Sequence, residues 1–187
     1  AHLVMATPAA RMTPPIARVA RIVGRESEIA EAVRLLLEPK ARVLIHGLPG
    51  MGKDVVMAEV AHHPSVQELD GIHMWLQASS EPVFQRQLIQ HFATHRPRVV
   101  IGLEDNTSEA LAAIKRWLSV NTSWVMFVED ASLTSETLWR ILPQNGSGRV
   151  VVTSQAPFQT KHSIFGSAIH LESLDTRDSI ELLRQLG

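Results

Sequence analysis

The sequence has 187 residues and contains no cysteine. Disulfides and thiolate metal sites are therefore excluded, and the composition fits a reducing compartment. No apolar run approaches the roughly 18–20 residues that a membrane-spanning helix needs, and the N-terminus shows no pattern typical of a secretory signal. Neither sign of charge is in excess, because the net charge is −1. We expect a cytoplasmic protein of about one domain, with no nucleic-acid or membrane partner.

The most informative segment is 47–54, which reads Gly-Leu-Pro-Gly-Met-Gly-Lys-Asp. It follows the apolar run 43–45 and precedes 55–60, which is typical of a helix. A strand, a glycine-rich loop with a lysine and a helix start form the P-loop pattern G-x-x-x-x-G-K-[ST]. The glycines let backbone N–H groups turn toward a phosphate, the helix N-terminus adds a partial positive charge, and Lys53 adds a full one. The sequence therefore predicts a site for a nucleoside phosphate.

Two further candidate sites follow apolar strands. The run 124–128 ends in Glu129 and Asp130, and the run 150–152 ends in Thr153. In P-loop ATPases one acid at such a position holds Mg²⁺, and a neighbouring acid orients the attacking water. Acids at strand ends also often cap a helix, but after a P-loop we favour the catalytic role for both. Thr153 is placed to bond a phosphate or a water, although a strand running into a loop would also explain it.

Periodicity along the chain predicts an α/β fold. The unbroken apolar runs 124–128 and 150–152 suit parallel strands that are buried on both faces, and strands are also expected at about 42–46 and 72–77. The segment 168–171 suits an edge strand. Helical patterns fall between them, at about 29–37, 53–62, 84–92 and 107–119. We predict a three-layer domain with a parallel sheet of about five strands.

Five motifs in order resemble the nucleotide-binding domain of the STAND class of P-loop ATPases, the NB-ARC or apoptosome type. They are Ile22-Val23-Gly24-Arg25-Glu26, the P-loop, Trp75-Leu76-Gln77-Ala78-Ser79, Trp124 through Asp130, and Leu142-Pro143 with 148–155. The segment 171–174 and the helical pattern after it look like the junction to that family's helical subdomain. The resemblance implies that the strand 150–154 lies between the P-loop strand and the strand 125–128. It also implies that the backbone at Val23 lies against adenine and that Arg25 approaches the phosphates. The expected nucleotide-binding residues are Val23, Arg25, Gly47, Pro49, Gly50, Met51, Gly52, Lys53, Asp54, Val55 and Thr153.

Three departures from the family pattern bear on hydrolysis. Asp54 stands where a Ser or Thr hydroxyl ligates Mg²⁺, Glu129 replaces an Asp, and Gln155 replaces an Arg that would sense the γ-phosphate. Asp54 and Glu129 are the candidate metal ligands, but Mg²⁺ demands close to octahedral geometry, which a longer or charged arm disturbs. The three changes together favour weak or absent ATP hydrolysis.

The resemblance implies a signalling switch of the kind found in innate immunity, in which ADP holds a closed form and ATP permits assembly. Its partners would be adenine nucleotide, the chain's own helical and winged-helix domains, and further copies of the protein. An active AAA-like ATPase and a nucleotide-free oligomerisation scaffold are the alternatives. A GTPase is disfavoured, because no N-K-x-D motif occurs. We expect a piece of a longer protein, with a linker or expression remnant at 1–20, the P-loop domain at 21–173 and the start of a helical subdomain at 174–187.

Other residues receive ordinary structural interpretations. His91 and His95 have the i, i+4 spacing of metal ligands, but no third ligand is evident, so we expect solvent-facing histidines. Trp117 and Trp139 are expected to cover the sheet, and Trp139 is also a candidate for a partner contact.

Overall fold

The computed structural model describes residue 15 and residues 22–103, 105–131, 140–143, 146, 148–155, 157 and 165–186, without the side chains of the last two. The predicted linker 1–20, apart from residue 15, and Trp139 lie outside the described residues. The proposed domain boundaries stay a prediction. None of the described helices is both long enough and apolar enough to cross a bilayer.

The described helices and strands alternate along the chain. In order they are α1 (Glu26–Leu37), β1 (Arg42–His46), α2 (Lys53–His62), α3 (Pro64–Gln67), β2 (Ile72–Gln77), α4 (Glu81–His95), α5 (Pro97–Val100), α6 (Thr107–Val120), β3 (Trp124–Glu129), β4 (Arg149–Ser154), β5 (Ser167–His170) and α7 (Thr176–Leu186). The predicted strands are confirmed, with the edge strand β5 beginning and ending one residue before its expected bounds.

The five strands form one sheet in the order β2-β3-β4-β1-β5, and every pairing is parallel. Ile45 on β1 lies opposite Thr153 on β4, so the end of β4 adjoins the start of the P-loop. The predicted position of β4 between the P-loop strand and β3 is therefore confirmed. In such sheets, ligands bind at the carboxyl ends of the strands.

Helices cover both faces of the sheet, which confirms the three layers. Because successive strand residues face opposite sides, the strands β1 to β4 supply apolar side chains to two separate cores. One core contains Val43, Ile45, Phe127 and Val151 with residues of α1 and α2. The other contains Leu44, Met126, Val128 and Val152 with residues of α4 and α6. The P-loop helix α2 thus packs on the face to which Glu129 and Thr153 belong, by their spacing from Phe127 and Val151.

The expectation for His91 is wrong, whereas Trp117 lies as expected. His91 is on the apolar stripe of α4, where the residue is only 8% exposed. Its Nε2 has no hydrogen-bond partner among the residues that the structure describes. Burial, helped by His95 and Arg96, lowers the pKa of His91 to about 4. The described residues contain no group of three or more His, Asp or Glu side chains that could hold a metal. Trp117 packs edge-on against Phe92, with 5.3 Å between ring centroids.

Candidate functional site

The loop between β1 and α2 has the backbone of an anion-binding turn. Gly50 and Gly52 both adopt a φ of +80°, a left-handed conformation that other residues rarely take. Within the described part of the chain, no atom lies within 4 Å of the place where a Cβ would stand on either glycine, so the requirement is conformational. Gly47 is required for a different reason, since its Cβ would lie 2.6 Å from the Leu171 carbonyl oxygen. The first N–H groups of α2, which have no acceptor within a helix, follow directly from this loop.

The Lys53 ammonium is enclosed by the loop itself. Its Nζ donates to the Gly47 carbonyl at 2.9 Å and to the Leu48 carbonyl at 3.0 Å, and the residue is 8% exposed. A buried charge must be paired or hydrogen-bonded, and these two carbonyls meet that need. The lysine is therefore held at the concave side of the loop, close to the N-terminus of α2, where two sources of positive potential add.

Directly before the loop, His46 stacks on His170, with ring centroids 4.8 Å apart and planes at 9°. Burial and, secondarily, the neighbouring His170 lower the pKa of His46. Both effects favour the neutral form of the His46 ring.

Asp54, Thr153 and the backbone of Asp130 meet beside the loop. The Thr153 hydroxyl accepts a hydrogen bond from the Asp130 N–H at 2.9 Å and lies 3.4 Å from Oδ1 of Asp54, which is long for such a bond. Asp130 has a φ of +50°, so the chain turns sharply after β3 and its side chain is exposed. The structure thus brings together Asp54 at the N-terminus of α2, Asp130 after β3 and Thr153 near the carboxyl end of β4.

Glu129 is engaged elsewhere. Its Oε2 accepts a hydrogen bond from the indole Nε1 of Trp75 at 2.8 Å. Mg²⁺ needs oxygen ligands that converge on one point with close to octahedral geometry. Here one candidate ligand, Asp54, lies against a threonine hydroxyl and the other is bonded to an indole on β2. The arrangement of these two side chains does not fit a magnesium site.

Arg25 links three parts of the site. Its guanidinium donates to the Met51 carbonyl at 3.2 Å, to the Glu172 carbonyl at 2.6 Å and to the Glu28 carboxylate at 2.9 Å. It therefore holds the P-loop against the chain that follows β5. The expected approach of Arg25 to the phosphates stays a prediction.

A cavity of about 380 Å³ opens beside the P-loop glycines. Six of the predicted nucleotide-binding residues line it: Val23, Arg25, Gly50, Met51, Gly52 and Val55. Its walls are mainly apolar, as suits a planar base. Ile22, Ser173, Leu174, Ser179 and Leu182 complete the lining.

Those five residues were not predicted as site residues. In the sequence, Leu174 and Leu182 indicated only a domain junction. They are far from the P-loop along the chain, so no local pattern placed them at the nucleotide site. The structure brings them to the site, because α7 packs closely on Gly24: the φ of Gly24 is +67°, and a Cβ there would collide with the Asp178 carboxylate of α7. A larger cavity of about 790 Å³ lies between the segment 22–26 and α7, but no P-loop residue lines it. The smaller cavity is therefore the better candidate site.

Comparison with known proteins supports the fold. The sequence matches the family model of the NB-ARC domain over residues 25–187. No curated protein matches it.

Three solved structures are similar to the chain. Cdc6p from Pyrobaculum aerophilum aligns with a TM-score of 0.68 and 16% identity, over 91% of this chain and 51% of that one. The Orc1 protein of Aeropyrum pernix, solved in complex with DNA, aligns with a TM-score of 0.59 and 13% identity, over 91% and 51%. A Signal Transduction ATPase with Numerous Domains (STAND) protein with a tetratricopeptide repeat sensor, from Pyrococcus horikoshii, aligns with a TM-score of 0.58 and 18% identity, over 91% and 26%. At these identities the likeness shows the fold alone, and the chain spans about half or less of each structure's length.

Proposed function

The chain belongs to the NB-ARC domain family, of the STAND class, and from that premise we propose that it is the adenine-nucleotide switch module of a larger signalling or regulatory protein, with weak or absent hydrolysis. Family membership supports a nucleotide-binding module. The observation that carries the proposal is the apolar cavity of about 380 Å³ beside the two left-handed glycines of the P-loop. The cavity provides an apolar surface for a base, directly beside a loop whose N–H groups can bind phosphates.

In this proposal each part of the nucleotide has its own contacts. The base lies against Val23 and Val55, while the phosphates lie on the N–H groups of the loop and on Lys53. Lys53 then exchanges its bonds to Gly47 and Leu48 for phosphate oxygens. Because the exchange replaces neutral acceptors by charged ones, it favours binding. Arg25 keeps the loop in place through Met51.

Weak ATP hydrolysis is expected from the positions of three acidic side chains. Glu129 and Asp130 are the proposed catalytic residues, but Glu129 is bonded to Trp75 and the Asp130 side chain is exposed. Asp54 adds a negative charge where the family has a hydroxyl. Mg²⁺, when bound with a triphosphate, would neutralise charge on the phosphates, and these residues are not arranged to hold it. Tight binding with little turnover is what a switch needs.

The proposed partners follow from the family and from one of the similar structures. Helical and winged-helix domains that follow in the family would close over the nucleotide, and a sensor domain is suggested by the STAND protein of Pyrococcus horikoshii. Assembly of several copies on activation, a cytoplasmic location and a role in innate immunity rest on the family resemblance. The Orc1 structure contains DNA. We propose no nucleic-acid partner for this chain, because its net charge of −1 provides no excess of positive charge to attract phosphates.

Calorimetry and a phosphate-release assay test the proposal together. Without the helical and winged-helix domains that are proposed to close over the nucleotide, we expect these residues to bind ADP and ATP with only modest affinity and GDP more weakly. ATP turnover should be far below about 1 s⁻¹. Turnover at or above that rate would favour the AAA-like ATPase instead. Absence of binding by any nucleotide would favour the oligomerisation scaffold.

A further inference from the structure

Trp75 fixes one oxygen of the Glu129 carboxylate. The indole is only 7% exposed, and it stacks on Phe127 with 5.7 Å between ring centroids and 23° between planes. Its Nε1 donates to Oε2 of Glu129 at 2.8 Å. Because the ring is packed in the core, it cannot follow the carboxylate if the carboxylate moves.

The sheet order determines the direction in which the carboxylate is held. β2 lies on one side of β3, whereas β4 and then the P-loop strand β1 lie on the other. Trp75 is opposite Phe127, two residues before Glu129 along β3, and the residue opposite Glu129 is Gln77. The glutamate therefore reaches sideways and back toward β2. An aspartate, which is one methylene shorter, is less able to make this contact.

The hydrogen bond from Trp75 to Glu129 is expected to be strong enough to hold the carboxylate in place. Hydrogen bonds to an ionised acceptor are about twice as strong as neutral ones. The ring that donates this one is already immobile, so little side-chain entropy is lost in forming it. To serve a metal ion beside the P-loop, Glu129 would have to give up this bond.

We propose that Trp75 is a positioning residue that holds the Glu129 carboxylate toward β2 and away from the P-loop, so that ADP binds without help from Mg²⁺. This inference rests on the proposed nucleotide site. It assigns the loss of the magnesium contribution to a residue outside the P-loop, on the strand β2, which β3 and β4 separate from the P-loop strand β1. Asp54 then adds to an effect that Trp75 produces independently.

The test compares ADP affinity with and without Mg²⁺ in four proteins: wild type, Trp75→Phe, Glu129→Gln and the double variant. In the wild type the two dissociation constants should agree within about twofold. In Trp75→Phe the freed carboxylate should make Mg²⁺ tighten ADP binding by about tenfold, the size expected for one charge-assisted contact. The gain should vanish in the double variant, which shows that Glu129 carries it. Trp117→Phe, which alters an indole on the opposite face of the sheet, is the matched control.

A second measurement examines the contact without any activity. The Trp75 indole N–H signal in ¹H–¹⁵N NMR, identified by its loss in Trp75→Phe, should move in Glu129→Gln while the other three indole signals stay. In the wild type it should not move when Mg²⁺ is added to the ADP-bound protein.

Three results would overturn the inference. They are a Trp75 signal that is unaffected by Glu129→Gln, a signal that shifts strongly with Mg²⁺, and equal magnesium effects in wild type and Trp75→Phe. If the wild type binds no ADP in either buffer, the nucleotide site itself is refuted, and any role of Trp75 in it is refuted as well.

Discussion

Replacement of Lys53 should weaken ADP binding by about tenfold or more. The ammonium is buried and already has two acceptors, the Gly47 and Leu48 carbonyls at 2.9 and 3.0 Å. A charge-assisted hydrogen bond contributes about 1.5–3 kcal/mol, which corresponds to about 10- to 150-fold in affinity. Since Lys53 must leave its carbonyls to reach a phosphate, part of this gain is offset. We therefore expect a loss near the lower end of the range.

The assay is calorimetric titration with ADP of wild type, Lys53→Ala and Lys53→Met. Methionine keeps most of the buried stem, so an equal loss in both variants would assign the effect to the charge. Lys115→Ala is the control, because Lys115 also donates to a backbone carbonyl, that of Arg140 at 2.7 Å, but from α6. If Lys53→Met binds ADP within about twofold of a correctly folded wild type, well short of a tenfold loss, the lysine is not part of a working P-loop.

Three other predictions concern single residues. Asp54→Thr should restore a hydroxyl beside the phosphates, so that Mg²⁺ raises the ADP affinity of the variant. Titrations with ADP in buffers with and without Mg²⁺ measure this effect, and equal affinities in the two buffers would show that Asp54 does not prevent magnesium binding. Gly148→Ala should destabilise the fold by about 1–3 kcal/mol in urea unfolding, because its Cβ would collide with the buried indole of Trp124. Gly166→Ala should be close to neutral, since no atom of the described residues lies within 4 Å of the place of its Cβ. His91→Leu should become more stable relative to wild type as the pH falls from about 6.5 to about 4. The pKa of His91 is about 4 in the folded protein and about 6.5 in the unfolded one, so between these values only the unfolded wild type takes up this proton, which lowers the free energy of unfolding of the wild type. Free energies of unfolding that change with pH in parallel for the two proteins would contradict the argument.

The parts of the fold that could be predicted depend on local pattern. The apolar runs marked the strands because a strand buried on both faces carries no polar positions. The glycine and lysine spacing marked the P-loop because a glycine-rich turn before a helix places several N–H groups on one phosphate, and the lysine adds a charge. The position of β4 came from the family resemblance, since periodicity contains no information on strand order.

The parts that could not be predicted depend on side chains far apart in sequence. Trp75 and Glu129 meet only because β2 and β3 pair in one register, and no pattern at either residue indicates the hydrogen bond. The same holds for Arg25, which bonds to the Glu172 carbonyl. His91 was misjudged because a histidine at the edge of an apolar stripe can face either way, and here packing on α4 buries it.

An ADP titration followed by ¹H–¹⁵N NMR of the backbone tests the central claim most directly. Binding at the P-loop should shift the amide signals of Gly50, Gly52 and Lys53, together with that of Val23 at the cavity wall. The amides of α6, which packs on the other face of the sheet, should stay in place. Shifts confined to residues other than the loop and cavity, or no shifts at all as ADP is raised to millimolar concentration, would contradict the account.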